Sequence, residues 1–83
     1  MPTVFRIDGY RGYFFSNEGS PREPIHIHVE KGEGEAKFWV LPSVELAESI
    51  GMKIAELKRA ESIVKQQRQQ ILDLWEKHFK LKA

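Results

Sequence analysis

The chain has 83 residues, 41% of them apolar and 30% charged, with a net charge of +1. These proportions are those of a soluble globular protein of one domain spanning residues 1–83, thin enough that its sheet is covered on one side only, and they exclude a strongly basic nucleic-acid binder by bulk charge. Cysteine is absent, which leaves no disulfide framework and no thiolate nucleophile, and no apolar run approaches the roughly 18 residues needed to cross a bilayer.

The N-terminus, Met1-Pro2-Thr3-Val4-Phe5, lacks the basic-then-apolar layout of a secretory signal, so the expected compartment is the cytoplasm. Val4-Phe5-Arg6-Ile7 before Asp8-Gly9 predicts a short strand and a turn. The aromatic stretch from Tyr10 to Ser16 suits a pleated, half-buried surface and predicts a second strand. Asn17 through Pro24 is a loop, because it combines turn formers with prolines that cannot join a ladder.

Residues 25–30 and 35–41 flank Lys31-Gly32-Glu33-Gly34, whose glycines permit a tight hairpin. Reading those four residues as the loop sets a register in which Glu30 faces Glu35, His28 faces Lys37 and His26 faces Trp39. On the reverse side Val29 meets Ala36, Ile27 meets Phe38 and Ile25 meets Val40, a wholly apolar face that must be the core face. Pro42 then interrupts the ladder. Residues 44–49 continue either as a further strand, the preferred reading, or as a helical turn, and Gly51 punctuates.

From Ile54 to Phe79 the apolar period changes to 3.6 residues, which predicts one long amphipathic helix. Its stripe runs through Leu57, Val64, Ile71 and Trp75, flanked by Ile54, Ala60, Leu72, Leu74 and Phe79, with Gln67 as a polar interruption. A helix of that length spans about 37 Å, more than the ~20 Å of a short-stranded sheet, so one end should overhang. The overhang, with Leu57, Val64, Ile71 and His78 spaced by sevens, is a candidate for pairing with a partner helix. Charge is divided along the chain. Residues 1–52 hold five basic and eight acidic side chains, and residues 53–83 eight basic and four acidic, so the helical third can present a modest positive face.

The pattern most informative about function is His26-Ile27-His28-Val29-Glu30, since strand alternation sets both imidazoles and the carboxylate in a row on the face opposite the core. Two chemistries suit such a row. Imidazoles about 7 Å apart can share a metal ion, with Glu30 on the same face and Glu18 or Glu23 from the loop as further ligands. Alternatively, His26 or His28 can move a proton near neutral pH while Lys37 stabilises a developing oxyanion and Trp39 stacks on a base. That would equip a small metal-independent ribonuclease. Against both stands a plainer reading, an exposed histidine, lysine and tryptophan face on which another protein or a second copy docks. Arg11, with Arg6 and Arg22, is placed to bring phosphates to the sheet, although none lies in a glycine-rich phosphate-cradling pattern. No motif calls for a cofactor.

Phe14-Phe15-Ser16-Asn17-Glu18, a proline-containing loop, and His26-Ile27-His28-Val29-Glu30-Lys31-Gly32 together resemble the domain of unknown function 4160 family. The likeness continues through Glu35-Ala36-Lys37-Phe38-Trp39 and through the helix end from Ile71 to Phe79. The resemblance implies a small bacterial or archaeal protein that partners the domain of unknown function 2442 family, often encoded alongside, some members being regarded as toxins. It maps the family's histidine element onto His26 and His28, its upstream polar pair onto Asn17 and Glu18, and its helix tryptophan onto Trp75. The chain departs from the family at Ile25, where proline is usual, and in a loop longer by a few residues.

The expectation is therefore an α+β fold, a small antiparallel sheet of four to five strands covered on one face by a long C-terminal helix. Ile25, Ile27, Val29, Phe38, Val40, Leu57, Val64, Ile71 and Trp75 should form its core. The functional expectation is a protein-interaction module, the toxin-like half of a toxin–antitoxin-type pair, with a small ribonuclease as the alternative. The partner expected is a small cognate protein encoded nearby; a second copy of the chain and RNA are also open, and a membrane is not. Candidate catalytic residues are His26, His28 and Lys37, and candidate binding residues are Trp39, Glu30, Asn17, Glu18 and Arg11.

Overall fold

The computed structural model describes residues 3–14 and 24–79. The fold is α+β. Five strands, β1 (Thr3–Ile7), β2 (Tyr10–Tyr13), β3 (His26–Lys31), β4 (Gly34–Trp39) and β5 (Glu45–Ile50), are followed by two helices, α1 (Ile54–Gln66) and α2 (Arg68–Phe79). The sheet is an antiparallel meander in which spatial order equals chain order.

Turn chemistry explains the two tight hairpins. Asp8 and Gly9 both take positive φ, 53° and 80°, which is the backbone of a two-residue type I′ turn and suits an Asp-Gly pair. The second loop is shorter than the sequence suggests: Lys31 pairs with Gly34, so only Gly32 and Glu33 turn the chain. The pairing otherwise agrees with the expected register, His26 with Trp39, Ile27 with Phe38, His28 with Lys37, Val29 with Ala36 and Glu30 with Glu35. The Val40 amide donates to the Ile25 carbonyl at 3.0 Å, closing the ladder before the cis Leu41–Pro42 peptide. Residues 45–50 are a strand, as preferred.

Two irregularities shift side chains between faces. In β1 the pairing steps from Thr3 to Phe5, and the adjacent Val4 and Phe5 are both buried. Between β4 and β5 the step at Lys37/Phe38 leaves Ala47 as the extra residue, so that Leu46 follows Phe38 and Glu48 follows Lys37 onto opposite faces.

The core joins Ile27, Val29, Ala36, Phe38 and Val40 from the sheet to Ala60, Ile63, Val64, Ile71 and Trp75 from the helices. Ile25 and Leu57, expected in it, are only partly buried against its margin. Ile63, which the stripe omitted, is fully buried, as is Phe14 just after β2. Ile54, in contrast, is 73% exposed, so the first residue of α1 stands clear of the core.

The single long helix is corrected. The helical segment divides at Gln67, a turn residue with φ −97° and ψ 8°, although main-chain bonds from the Gln67 amide to Ile63 and from the Ile71 amide to Gln67 flank the division. Arg68 donates from Nε to the Val40 carbonyl at 3.0 Å and from Nη2 to the Pro42 carbonyl at 3.3 Å. Gln70 donates to the Val4 carbonyl at 3.1 Å. These bonds tie the start of α2 to the ends of two strands, so α1 contacts β4 while α2 reaches β1. The heptad-spaced partner seam is corrected with it, because Val64 and Ile71 are fully buried inside the chain's own core. Among the described residues no helix is long and apolar enough to cross a membrane.

Candidate functional site

The sheet face turned away from the helices is organised in cross-strand rows. Tyr13, His28, Lys37 and Glu48 form one row from β2 to β5, and Arg11, Glu30, Glu35 and Ile50 form the next. His26, Trp39 and Glu45 form a third at the end where β3 begins. The rows follow directly from strand alternation once the hairpins fix the register.

Aromatic and cationic groups hold these rows together. The Tyr13 and His28 rings stack with centroids 5.5 Å apart and planes at 25°, and the Arg11 guanidinium lies 4.6 Å from the Tyr13 centroid. Arg11 also pairs with Glu30 at 3.4 Å and donates to Thr3 Oγ1 at 2.9 Å. Lys37 Nζ lies 4.7 Å from the centre of the Trp39 ring.

His26 corrects the expected outward row. It shares the parity of His28, yet its exposure is 0%, whereas His28 is half-buried. Trp75 reaches this end of the sheet from α2 and places its ring 5.3 Å from both Phe14 and His26. His28 at 5.2 Å and Trp39 at 5.7 Å complete edge-on contacts around the His26 ring. His26 Nδ1 lies 3.0 Å from the Pro24 carbonyl, which can only accept, so that nitrogen carries the proton. The aliphatic half of the expectation holds, for Ile27 and Val29 are fully buried.

The candidate catalytic set is thus split: His28 and Lys37 sit opposite each other, half-buried, on the face away from the helices, and His26 lies inside the molecule. Of the candidate binding residues, Arg11, Glu30 and Trp39 share that face and are half-buried. Asn17 and Glu18, together with Arg22 and Glu23, lie outside the described residues. Among the described residues no group of three or more histidine and carboxylate side chains is placed to hold a metal ion, so His26, His28 and Glu30 do not converge as a ligand set.

An open depression of about 360 Å³ lies toward β5, lined by His28, by Glu35 and Lys37 of β4, and by Glu48, Ser49 and Ile50. Glu35 is placed by the expected register but not singled out as a functional residue, and Glu48 is out of reach of the sequence, because regular alternation from Glu45 would set Ala47 beside Lys37 and only the extra residue brings Glu48 there. Tyr13 escapes the sequence reading as well: alternation along β2 gives its face, whereas its place opposite His28 is set by the β2–β3 register.

A family model described as Domain of unknown function (DUF4160) matches residues 9–76 of the chain. No curated protein and no solved structure matches it.

Proposed function

The chain belongs to the family described as Domain of unknown function (DUF4160), and we propose that it acts as a protein-interaction module, the toxin-like half of a toxin–antitoxin-type pair whose sheet face receives a small cognate protein encoded nearby. The observation that carries this reading is the placement of Arg11, His28, Lys37 and Trp39 together on the sheet face opposite the helices. Tryptophan and arginine are among the side chains that dominate protein interfaces, since each offers a large contact area with a polar or charged handle. Here Arg11 and Lys37 are already seated on Tyr13 and Trp39, so they lose little freedom when a partner docks.

Acid–base catalysis is the weaker use of the same residues. A proton-transferring group must come within hydrogen-bond reach of the substrate, and His26 is enclosed by Trp75, Trp39 and His28. One accessible imidazole and Lys37 are left for a ribonuclease.

Affinity capture from the native host tests the reading. The wild-type chain is expected to retain a small protein encoded beside its own gene, and Trp39→Ala and Lys37→Glu variants that still fold are expected to lose it. Recovery of no such neighbour, or recovery indifferent to both substitutions, overturns the proposal. Bulk RNA incubated with and without chelator is expected to stay intact; cleavage that disappears in His28→Ala would transfer the function to the ribonuclease reading.

A further inference from the structure

We infer that the outer edge of β5 is a docking site for an extended, lysine- or arginine-bearing segment of another protein, which adds to the sheet as a further strand. The inference rests on the interaction-module reading and specifies where and how such a partner engages.

Four observations converge on this edge. All six residues of β5 are exposed, and β4 is the one element against which the strand packs extensively. Among the described residues no strand lies beyond it. The other edge of the sheet is attended differently: β1 has α2 beside it, and Gln70 occupies the Val4 carbonyl. Among the described residues the exposed large apolar side chains, Leu41 at 39%, Leu46 at 44% and Ile50 at 74%, with Ile54 at 73% where α1 begins, all fall in β5 or close to it. Scattered surface leucines need no explanation, but their confinement to one edge strand and its margins marks a surface meant to be covered.

Charge identifies the occupant. From Leu41 to Met52 the chain carries Glu45 and Glu48 and no basic residue. Both glutamates stand on the face shared with Trp39 and Lys37, and Glu35 and Glu48 line the depression beside them. A strand laid along this edge gains main-chain bonds from β5 whatever its sequence. Opposite-charge cross-strand pairs are favourable and like-charge pairs are not, so basic side chains opposite Glu45 and Glu48 select the partner. Apolar side chains on its other face cover Leu46. A second copy of this chain is a poor occupant, because antiparallel β5–β5 pairing brings four glutamates together at the junction.

The probe is a synthetic octapeptide of alternating lysine and valine, with a control in which glutamate replaces lysine. Binding is read by amide chemical shifts and hydrogen exchange on the full chain. The lysine peptide is expected to protect the outward amides of β5 and to bind about tenfold tighter than the glutamate peptide, the ratio two exchanged cross-strand charge pairs supply. In an Glu45→Lys/Glu48→Lys variant, whose exposed positions leave the core untouched, the preference should reverse. Equal binding of both peptides, protection confined to β1 or β2, or no binding overturns the inference. So does a concentration-dependent dimer whose β5 amides are already protected without peptide. If the peptide fails while the host protein is still captured through Trp39 and Lys37, the edge is excluded and the interaction reading stands; capture of no neighbour removes that reading instead.

Discussion

Gly12 sits opposite Phe5, and the Phe5 ring occupies the space into which any side chain at position 12 would project. The requirement is one of room, since no positive φ is involved there. Gly12→Ala therefore forces the ring, and with it the margin of the core, to shift, and overpacking of this kind costs about 1–3 kcal/mol. In a chain this small that is a large share of total stability. Urea denaturation should show the loss as a lower midpoint at unchanged slope, and an unchanged midpoint would mean the ring yields freely. Tyr10 makes a second prediction. Burial pushes its phenol above the usual tyrosine value of 10.0, Glu56 and Asp8 push the same way, and Arg59 opposes them. The unfolded chain therefore ionises this phenol first, so its contribution to stability is intact below pH 10 and is lost as the pH rises beyond it. The fall in stability between pH 9.5 and 11, as probed on either side of that value, should be steeper in the wild type than in Tyr10→Phe; parallel profiles would show that the phenol does not drive it. At this scale the sequence is legible wherever alternation decides, as at Ile27 and Val29. It misleads at His26, because parity assigns a face and says nothing of a tryptophan arriving from a helix 49 positions later.

The division of the helical segment shows the same limit one level up. Lys65-Gln66-Gln67-Arg68-Gln69-Gln70 holds neither proline nor glycine, the residues that announce a break, and every member is a fair helix former. Only the polar Gln67 inside an apolar stripe hints at it. What fixes the break is tertiary: Arg68 reaches the Val40 and Pro42 carbonyls beyond the end of β4. Removing that guanidinium leaves acceptors poorly satisfied at a half-buried place, so Arg68→Ala should cost about 1–3 kcal/mol. Arg68→Lys should recover only part of it, since one ammonium cannot reproduce the two-pronged grip. Thermal unfolding of the two variants compares these losses directly, and equal stability of Arg68→Ala and the wild type would separate the break from the arginine. The start of α1, by contrast, can be read locally, for Glu56 accepts a bond from the Lys53 amide at 2.8 Å, as a carboxylate three residues into a helix does.

Across the whole molecule, protection should grade from one side of the sheet to the middle. β3 has a strand on each side and carries Ile27 and Val29 at 0% exposure, whereas β5 has one neighbour and no buried residue. Local opening requires only the contacts of the segment that opens, so β5 can detach while β1 to β4 and both helices keep their shared core. Native-state hydrogen exchange should therefore release the β5 amides bonded to β4 first and those of β3 last, near the global unfolding free energy. Equal protection of the two strands would mean that the sheet opens as one unit. The gradient follows from strand order, and the turn signals in the sequence already give the pairs β1–β2 and β3–β4. They do not give the exposure of the last strand, which depends on where the helices stop covering the sheet. A partner strand bound along β5 should raise its protection toward that of β3 and leave the slowest amides unchanged, because it adds neighbours only where the isolated chain has the fewest.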